Sequence, residues 1–124
     1  MSTLIPLQQA VDMTTLYRNE KENILDPAFR NRNILCNCET FERADFDTVL
    51  AQPDCVNLRV YYGMDKELEV HAIIVGVNSK DEDILPQSET EGAKSDDLDT
   101  GGKIIEEGIR CPPTCPSGSP LIGG

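Results

Sequence analysis

Tryptophan is absent from this sequence, aromatic side chains make up only 5% of it, and His71 is the only histidine. A core with so few rings must rest on aliphatic side chains. No nucleophile can be placed beside a base from the sequence, so we predict a protein without catalytic residues. At 124 residues the chain has the length of about one domain.

Basic side chains are also scarce, because 11 lysines and arginines face 22 acidic residues and leave a formal net charge of −11. A protein that binds a phosphate backbone needs a basic surface, so we expect no nucleic acid among the partners. An anionic membrane surface is excluded by the same argument. We predict that another protein is the partner.

Long apolar runs are missing as well. No stretch approaches the roughly 20 apolar residues that a membrane span requires, so we expect no membrane insertion. The first seven residues have neither a basic segment nor a long apolar one, and thus do not form a secretory signal. A cytoplasmic location is the default expectation, although export routes that read other signals would escape this argument.

Two helices are predicted from apolar spacing. Between Pro6 and Glu22 apolar residues recur at intervals typical of an amphipathic helix that lies on a core. The second helix is expected from about Phe41 to Ala51. The segment between them has no clear period and contains Pro27, so we predict an irregular crossing with a short strand at residues 33–36.

A β-hairpin is predicted after the second helix. Residues 56–62 alternate and are rich in branched and aromatic side chains, residues 63–67 are typical of a turn, and residues 68–77 end in an apolar run. The predicted fold is therefore α+β, with two helices packed on one face of a small antiparallel sheet whose centre is this hairpin. We place this domain at residues 1–85.

The rest of the chain differs in composition. Residues 86–103 are acidic and polar with few apolar side chains, which predicts a disordered linker. Residues 104–124 contain a short apolar piece that is expected to form an edge strand, followed by a tail rich in cysteine and proline.

Five cysteines are more than a cytosolic chain of this length usually has, and four of them form two close pairs. The pairs are Cys36 with Cys38 and Cys111 with Cys115. Four thiolates from these pairs are one candidate zinc site, the only cofactor that we consider. In an oxidising compartment the same four would form disulfides and leave Cys55 free. The third alternative is that all five cysteines are unpaired and have no special role.

The tail has its own candidate function. Pro112, Pro113 and Pro116 favour an extended or polyproline II backbone, which suits a segment that docks on a partner. A disordered terminus without a partner is the simpler alternative. A further alternative treats Gly101-Gly102 as a leader junction, so that residues 103–124 would be a cleaved peptide.

The chain also resembles a group of small uncharacterised bacterial proteins of similar length. Those proteins share the order of elements described above and tend to end in a Cys-Pro-Pro-X-Cys-Pro tail like residues 111–116. The segments that carry the resemblance are Tyr17-Arg18, Phe41, residues 58–63, residues 74–77, Asp83-Ile84 and the tail. The resemblance implies kinship but no activity.

Taken together, these observations favour a small non-enzymatic module that binds another protein through its sheet face or its C-terminal tail. The alternative is a zinc-binding or redox-linked protein that uses the two cysteine pairs. The precursor of a cleaved C-terminal peptide is the third hypothesis.

Overall fold

The computed structural model describes residues 2–86 and 102–123. The predicted linker at residues 86–103 lies mostly outside the described residues. The described elements, in chain order, are α1 (Leu7–Glu20), a 3₁₀ turn (Pro27–Phe29), β1 (Cys38–Thr40), α2 (Arg43–Leu50), β2 (Asn57–Met64), β3 (Val70–Val77), β4 (Asp83–Ile84), β5 (Ile104–Ile105), β6 (Ile109–Cys111) and a 3₁₀ turn (Pro120–Ile122).

The α+β class is confirmed, with two helices and antiparallel strand pairs. The described residues fall into two compact units. We call residues 41–63, 71–86 and 102–108 the hairpin unit, and residues 2–40, 64–70 and 109–123 the tail unit. The predicted limit of the domain at residue 85 does not coincide with this division, because residues beyond it belong to both units.

The sheet of the hairpin unit has the strand order β2-β3-β4, and β5 also pairs with β3. The predicted hairpin is present as β2 and β3, and the amide of Val56 donates to the carbonyl of Val77 at 2.9 Å. β3 pairs antiparallel with β4, where Gly76 faces Ile84, and with β5, where Ile74 faces Ile105. β3 is therefore the central strand, as its apolar run predicted.

The core of the hairpin unit lies between α2 and the sheet. Val49, Ile74 and Ile105 are buried and in one cluster, with Phe41 and Phe46 packed against it. The second half of β3 is fully buried. α2 approaches the sheet closely at Gly76, where a β-carbon would lie 2.7 Å from the Cys55 sulfur and 3.2 Å from a Val49 methyl group.

The tail unit contains a second, two-stranded sheet made of β1 and β6. Its register aligns Cys38 with Cys111 and Glu39 with Arg110. No strand is present at residues 33–36, where one was predicted. The strand of this region is β1, which begins at Cys38. Asn33 has a φ angle of 59°, which is not compatible with a strand at that residue.

Arg110 is the buried charged residue of the tail unit. Its guanidinium donates to the carbonyl of Ile34 at 3.0 Å and to the carbonyl of Val70 at 3.1 Å. Its Nη1 atom lies 3.4 Å from a carboxylate oxygen of Glu69 as an ion pair. One side chain therefore joins three segments that are far apart in the chain.

α1 occupies the predicted residues, but none of them is buried. Its apolar residues do not form one stripe: at about 3.6 residues per turn, Leu16 lies on the opposite side of the helix from Leu7. Two polar bonds join the helix to other segments of the tail unit. The Tyr17 hydroxyl donates to the carbonyl of Cys36 at 2.6 Å, and Arg18 donates to that of Leu121 at 2.6 Å.

The C-terminal tail has regular elements over its described residues. β5 and β6 occupy the region where a single edge strand was predicted, and the final 3₁₀ turn contacts α1. Within the described chain, no helix has the length and apolar character needed to cross a bilayer.

Candidate functional site

The outer edge of β2 is the first candidate site. β2 is the end strand of its sheet, so among the described residues its backbone pairs only with β3. The strand has eight residues and contains neither proline nor an acidic side chain. Edge strands of this length are usually protected from further pairing by charges, proline or a bulge, because their free amides and carbonyls recruit other strands.

The two faces of β2 differ in character. Leu58, Val60 and Tyr62 alternate along the strand and therefore lie on one face. Their exposed fractions are 37%, 47% and 78%. We call these three side chains the apolar stripe. An exposed apolar surface beside an open strand edge is the combination that strand-adding partners use, since the backbone gives affinity and the alternate side chains give specificity.

The opposite face of β2 is fixed by a polar network. Arg59 bonds to Asp83 and, at 2.7 Å, to Asp81, while the Tyr61 hydroxyl donates to Asp83. Asp83 lies on β4, so both β2 side chains reach across the central strand β3. The network ties the edge strand to the rest of its sheet and thereby preorganises it.

The hydrogen bond between Tyr61 and Asp83 shifts the pKa values of both groups. The hydrogen bond from Tyr61 is the main cause that lowers the pKa of Asp83 below its ordinary value, and Arg59 contributes in the same direction. The hydrogen bond to Asp83 correspondingly raises the pKa of Tyr61. Tyr61 thus remains a neutral donor and Asp83 a charged acceptor at neutral pH.

The four cysteines of the predicted zinc site all lie in the tail unit. Cys111 and Cys115 form a disulfide, one of the alternatives that the sequence left open, while Cys36 and Cys38 are free and half-buried. A sulfur in a disulfide is not a thiolate ligand, so a four-thiolate zinc site requires the reduced form of this pair. That site stays a prediction.

Cys36 has a distinct environment from the other free thiols. Burial is the main cause that raises its pKa, and the carboxylate of Glu39 acts in the same direction, whereas the charge of Arg110 opposes both. Cys55 belongs to the hairpin unit, where its thiol donates to the carbonyl of Asn57 at 3.5 Å. The fifth cysteine thus belongs to a different unit from the two pairs.

The proposed recognition prolines of the tail are all exposed. Pro112, Pro113 and Pro116 follow β6 and lie on either side of the exposed Cys115. The carbonyl of Pro112 accepts a hydrogen bond from the side-chain amide of Asn33 at 3.1 Å. Their role in docking stays a prediction.

A cleft of about 420 Å³ lies between α2 and β5, with Asp45, Lys103 and Glu106 among its polar lining residues. Pro86 and Gly102 also line it and adjoin the segment outside the described residues.

Sequence reasoning missed two features of these sites. It placed the hairpin, but the position of β2 at the edge depends on which strands pair with β3. It also paired the cysteines by their spacing in the sequence. The alignment of Cys38 with Cys111 was not identified, because a strand of three residues has no recognisable sequence pattern. No protein-family model, curated protein or solved structure matches the chain.

Proposed function

We propose that this protein is a binding module that captures an extended segment of another protein by adding it as a strand to the outer edge of β2. The observation that carries this proposal is the open edge of an eight-residue strand beside the exposed apolar stripe of Leu58, Val60 and Tyr62. No catalytic group is needed for this function.

Charge favours a basic partner. The chain has a net charge of −11, whereas β2 contributes no acidic side chain and its one charged residue, Arg59, is paired with Asp81 and Asp83. A second copy of the chain would bring an equal negative charge and be repelled. A partner segment with apolar side chains on one face would pack against the apolar stripe. Basic residues at its ends would be attracted by the negative charge of the protein.

The network on the other face supports the same function. Because Arg59 and Tyr61 already bond to Asp83, the edge strand is ordered before a partner arrives. Less conformational entropy is then lost on binding, which increases affinity. Each backbone hydrogen bond to the added strand contributes about 0.5–1.5 kcal/mol.

The test uses synthetic peptides and the full chain. One peptide of the length of β2 alternates valine and threonine between lysine ends, and its matched partner has glutamate ends. Nuclear magnetic resonance titration should shift the β2 amides with the lysine peptide and much less with the glutamate peptide. Val60→Asp should abolish this binding. Ile109→Asp, which changes an equally exposed strand residue of β6, should not.

Two outcomes would overturn the proposal. Absence of binding by either peptide would remove strand addition as the mode of capture. Concentration-dependent dimerisation of the chain in sedimentation, lost in Val60→Asp, would assign the edge to a second copy instead of a basic partner.

A further inference from the structure

Three cysteines of the tail unit converge at one point of its small sheet. Cys38 on β1 is the register partner of Cys111 on β6. Cys111 is already joined to Cys115 by a disulfide. Directly opposed residues of an antiparallel pair point to the same face, so the thiol of Cys38 and the sulfur of Cys111 lie on one side of the sheet.

The spacing permits either pairing of Cys111. Opposed residues in an antiparallel pair have Cα atoms about 4.5 Å or about 5.5 Å apart, depending on the hydrogen-bond pattern. Disulfides are compatible with Cα separations of about 4.4–6.8 Å, so both values are allowed. The Cα atoms of Cys111 and Cys115 are 4.7 Å apart. Cys111 thus has two partners within bonding reach, one on the neighbouring strand and one on the tail.

The strand partner is held in place by the backbone. The amide of Asn37 donates to the carbonyl of Cys111 at 2.7 Å, directly before Cys38. The next register pair, Glu39 with Arg110, is anchored by the bonds of Arg110 to Ile34 and Val70. The bonds that align Cys38 with Cys111 thus do not involve Cys115.

The three sulfurs differ in access to water. Cys111 is completely buried, Cys38 is half-buried and Cys115 is exposed. A dissolved thiol or disulfide can reach Cys115 but not Cys111. Cys38, which shares a face of the sheet with Cys111, is the thiol that can reach the buried sulfur from within the protein.

We propose that Cys38, Cys111 and Cys115 form a thiol–disulfide exchange site whose external substrate is a small disulfide such as oxidised glutathione. The Cys38 thiol loses its proton to water and attacks the Cys111 sulfur. A Cys38–Cys111 bond forms, the Cys111–Cys115 bond breaks, and Cys115 leaves as a thiolate. No oxidant is consumed in this step, because one disulfide replaces another.

The released Cys115 then reacts with the external substrate. Its thiolate attacks the small disulfide, forms a mixed disulfide at Cys115 and releases one small thiol. The buried Cys38–Cys111 bond is protected from solution while this occurs. The site therefore has a buried Cys38–Cys111 disulfide and an exposed, reactive sulfur at Cys115. Disulfides of cytosolic proteins are usually transient in this way, which agrees with the predicted location.

The first experiment follows the wild-type chain without added oxidant. The protein with its Cys111–Cys115 disulfide is held at mildly alkaline pH and quenched with acid, and its free thiols are alkylated and mapped by mass spectrometry. We expect a second isomer with a Cys38–Cys111 bond and an alkylated Cys115. Cys38→Ser should abolish this isomer, whereas the matched variants Cys36→Ser and Cys55→Ser should retain it.

The second experiment removes the competing sulfur. Cys115→Ser is treated with oxidised glutathione, and Cys38 and Cys111 should form a disulfide as one oxidised glutathione becomes two reduced molecules. Circular dichroism verifies that the variant is folded. If Cys38 is alkylated at every time point in the wild type, and Cys111 of the folded Cys115→Ser variant stays reduced or carries glutathione, the exchange site does not exist.

Discussion

The two units of this small protein are stabilised by different kinds of interaction. The hairpin unit has an apolar core in which Val49, Ile74 and Ile105 are buried together. The tail unit buries Ile34, Cys111 and the guanidinium of Arg110. Its other interactions include the pairing of β1 with β6, hydrogen bonds from side chains to backbone carbonyls, and a disulfide. In this chain, which has few aromatic residues, hydrogen bonds and a disulfide stabilise the unit that has fewer buried apolar side chains.

The difference matters for both proposed sites. The proposed binding edge at β2 belongs to the unit with the apolar core. The proposed cysteine site belongs to the tail unit, which contains the Cys111–Cys115 disulfide.

The largest effect is expected for Ile74→Ala in the hairpin unit. Removal of a buried isoleucine side chain leaves a cavity and lowers the free energy of unfolding by about 2–5 kcal/mol. Ile104→Ala is the matched control, because Ile104 on β5 is 47% exposed. Its cost should stay within about 0.5 kcal/mol, as at ordinary surface positions. Denaturant unfolding measures both, and equal costs would mean that the core is not where the stability of this unit lies.

The second effect is expected for Arg110→Met in the tail unit. Methionine keeps an apolar stem but removes the guanidinium that donates to the carbonyls of Ile34 and Val70. The carbonyl of Ile34 keeps its bond from the amide of Val70 at 2.8 Å, so only the carbonyl of Val70 loses its Arg110 donor without this compensation. An acceptor left unpaired costs about 1–3 kcal/mol, and we expect a loss of that size.

Arg43→Met is the control for this change. The Arg43 side chain is 91% exposed and forms an i,i+4 ion pair with Asp47, which is worth at most about 0.5 kcal/mol. Hydrogen exchange localises the loss: the amides of β1 and β6 should lose protection in Arg110→Met. If protection were lost only in the hairpin unit, the contrast between the two units would fail.

A smaller effect is expected for Tyr17→Phe. This change removes the hydroxyl that donates to the carbonyl of Cys36 and should cost about 0.5–1.5 kcal/mol. Tyr62→Phe, on an exposed side chain of the apolar stripe, should leave the free energy of unfolding nearly unchanged. Thermal and denaturant unfolding of the two variants distinguish them. An equal change in the free energy of unfolding would show that the hydrogen bond from Tyr17 does not stabilise α1.

The sequence predicted the hairpin unit better than the tail unit for a physical reason. Alternation of branched and aromatic side chains is a local signal, and the predicted strands at 56–62 and 68–77 correspond to β2 and β3. Pairing of β1 with β6 joins segments that are far apart in the chain and only three residues long, so no periodicity reveals it. The buried role of Arg110 likewise depends on carbonyls that are distant in sequence, one from Ile34 in a loop and one from Val70 at the start of β3.

The same limit applies to the candidate sites. A sheet face was predicted as a binding surface, but the edge position of β2 follows only from the strand order. The cysteine pairs were found by spacing along the chain, whereas the alignment of Cys38 with Cys111 is a property of the register. Helix α1 was located correctly, yet its spread of apolar positions was interpreted as a face on a core.

The smallest effect concerns acid sensitivity of the network under the binding edge. Because the folded pKa of Asp83 is lowered, its contribution to stability is present above the pKa of an unfolded aspartate and is lost as pH falls through the folded pKa. Tyr61→Phe removes the main cause of this shift. We expect the pKa of Asp83 to rise toward its ordinary value, so that less stability is lost in acid and the loss is complete at a higher pH.

Carbon-detected magnetic resonance of the Asp83 carboxyl group measures this titration directly. Tyr62→Phe changes the neighbouring ring on the opposite face of β2 and should leave the Asp83 titration where it is. If Tyr61→Phe also leaves it unmoved, Arg59 alone holds the carboxylate and the tyrosine adds no order to the edge strand. If the titration moves and binding of the lysine-ended peptide weakens with it, the polar face of β2 prepares the apolar face for its partner.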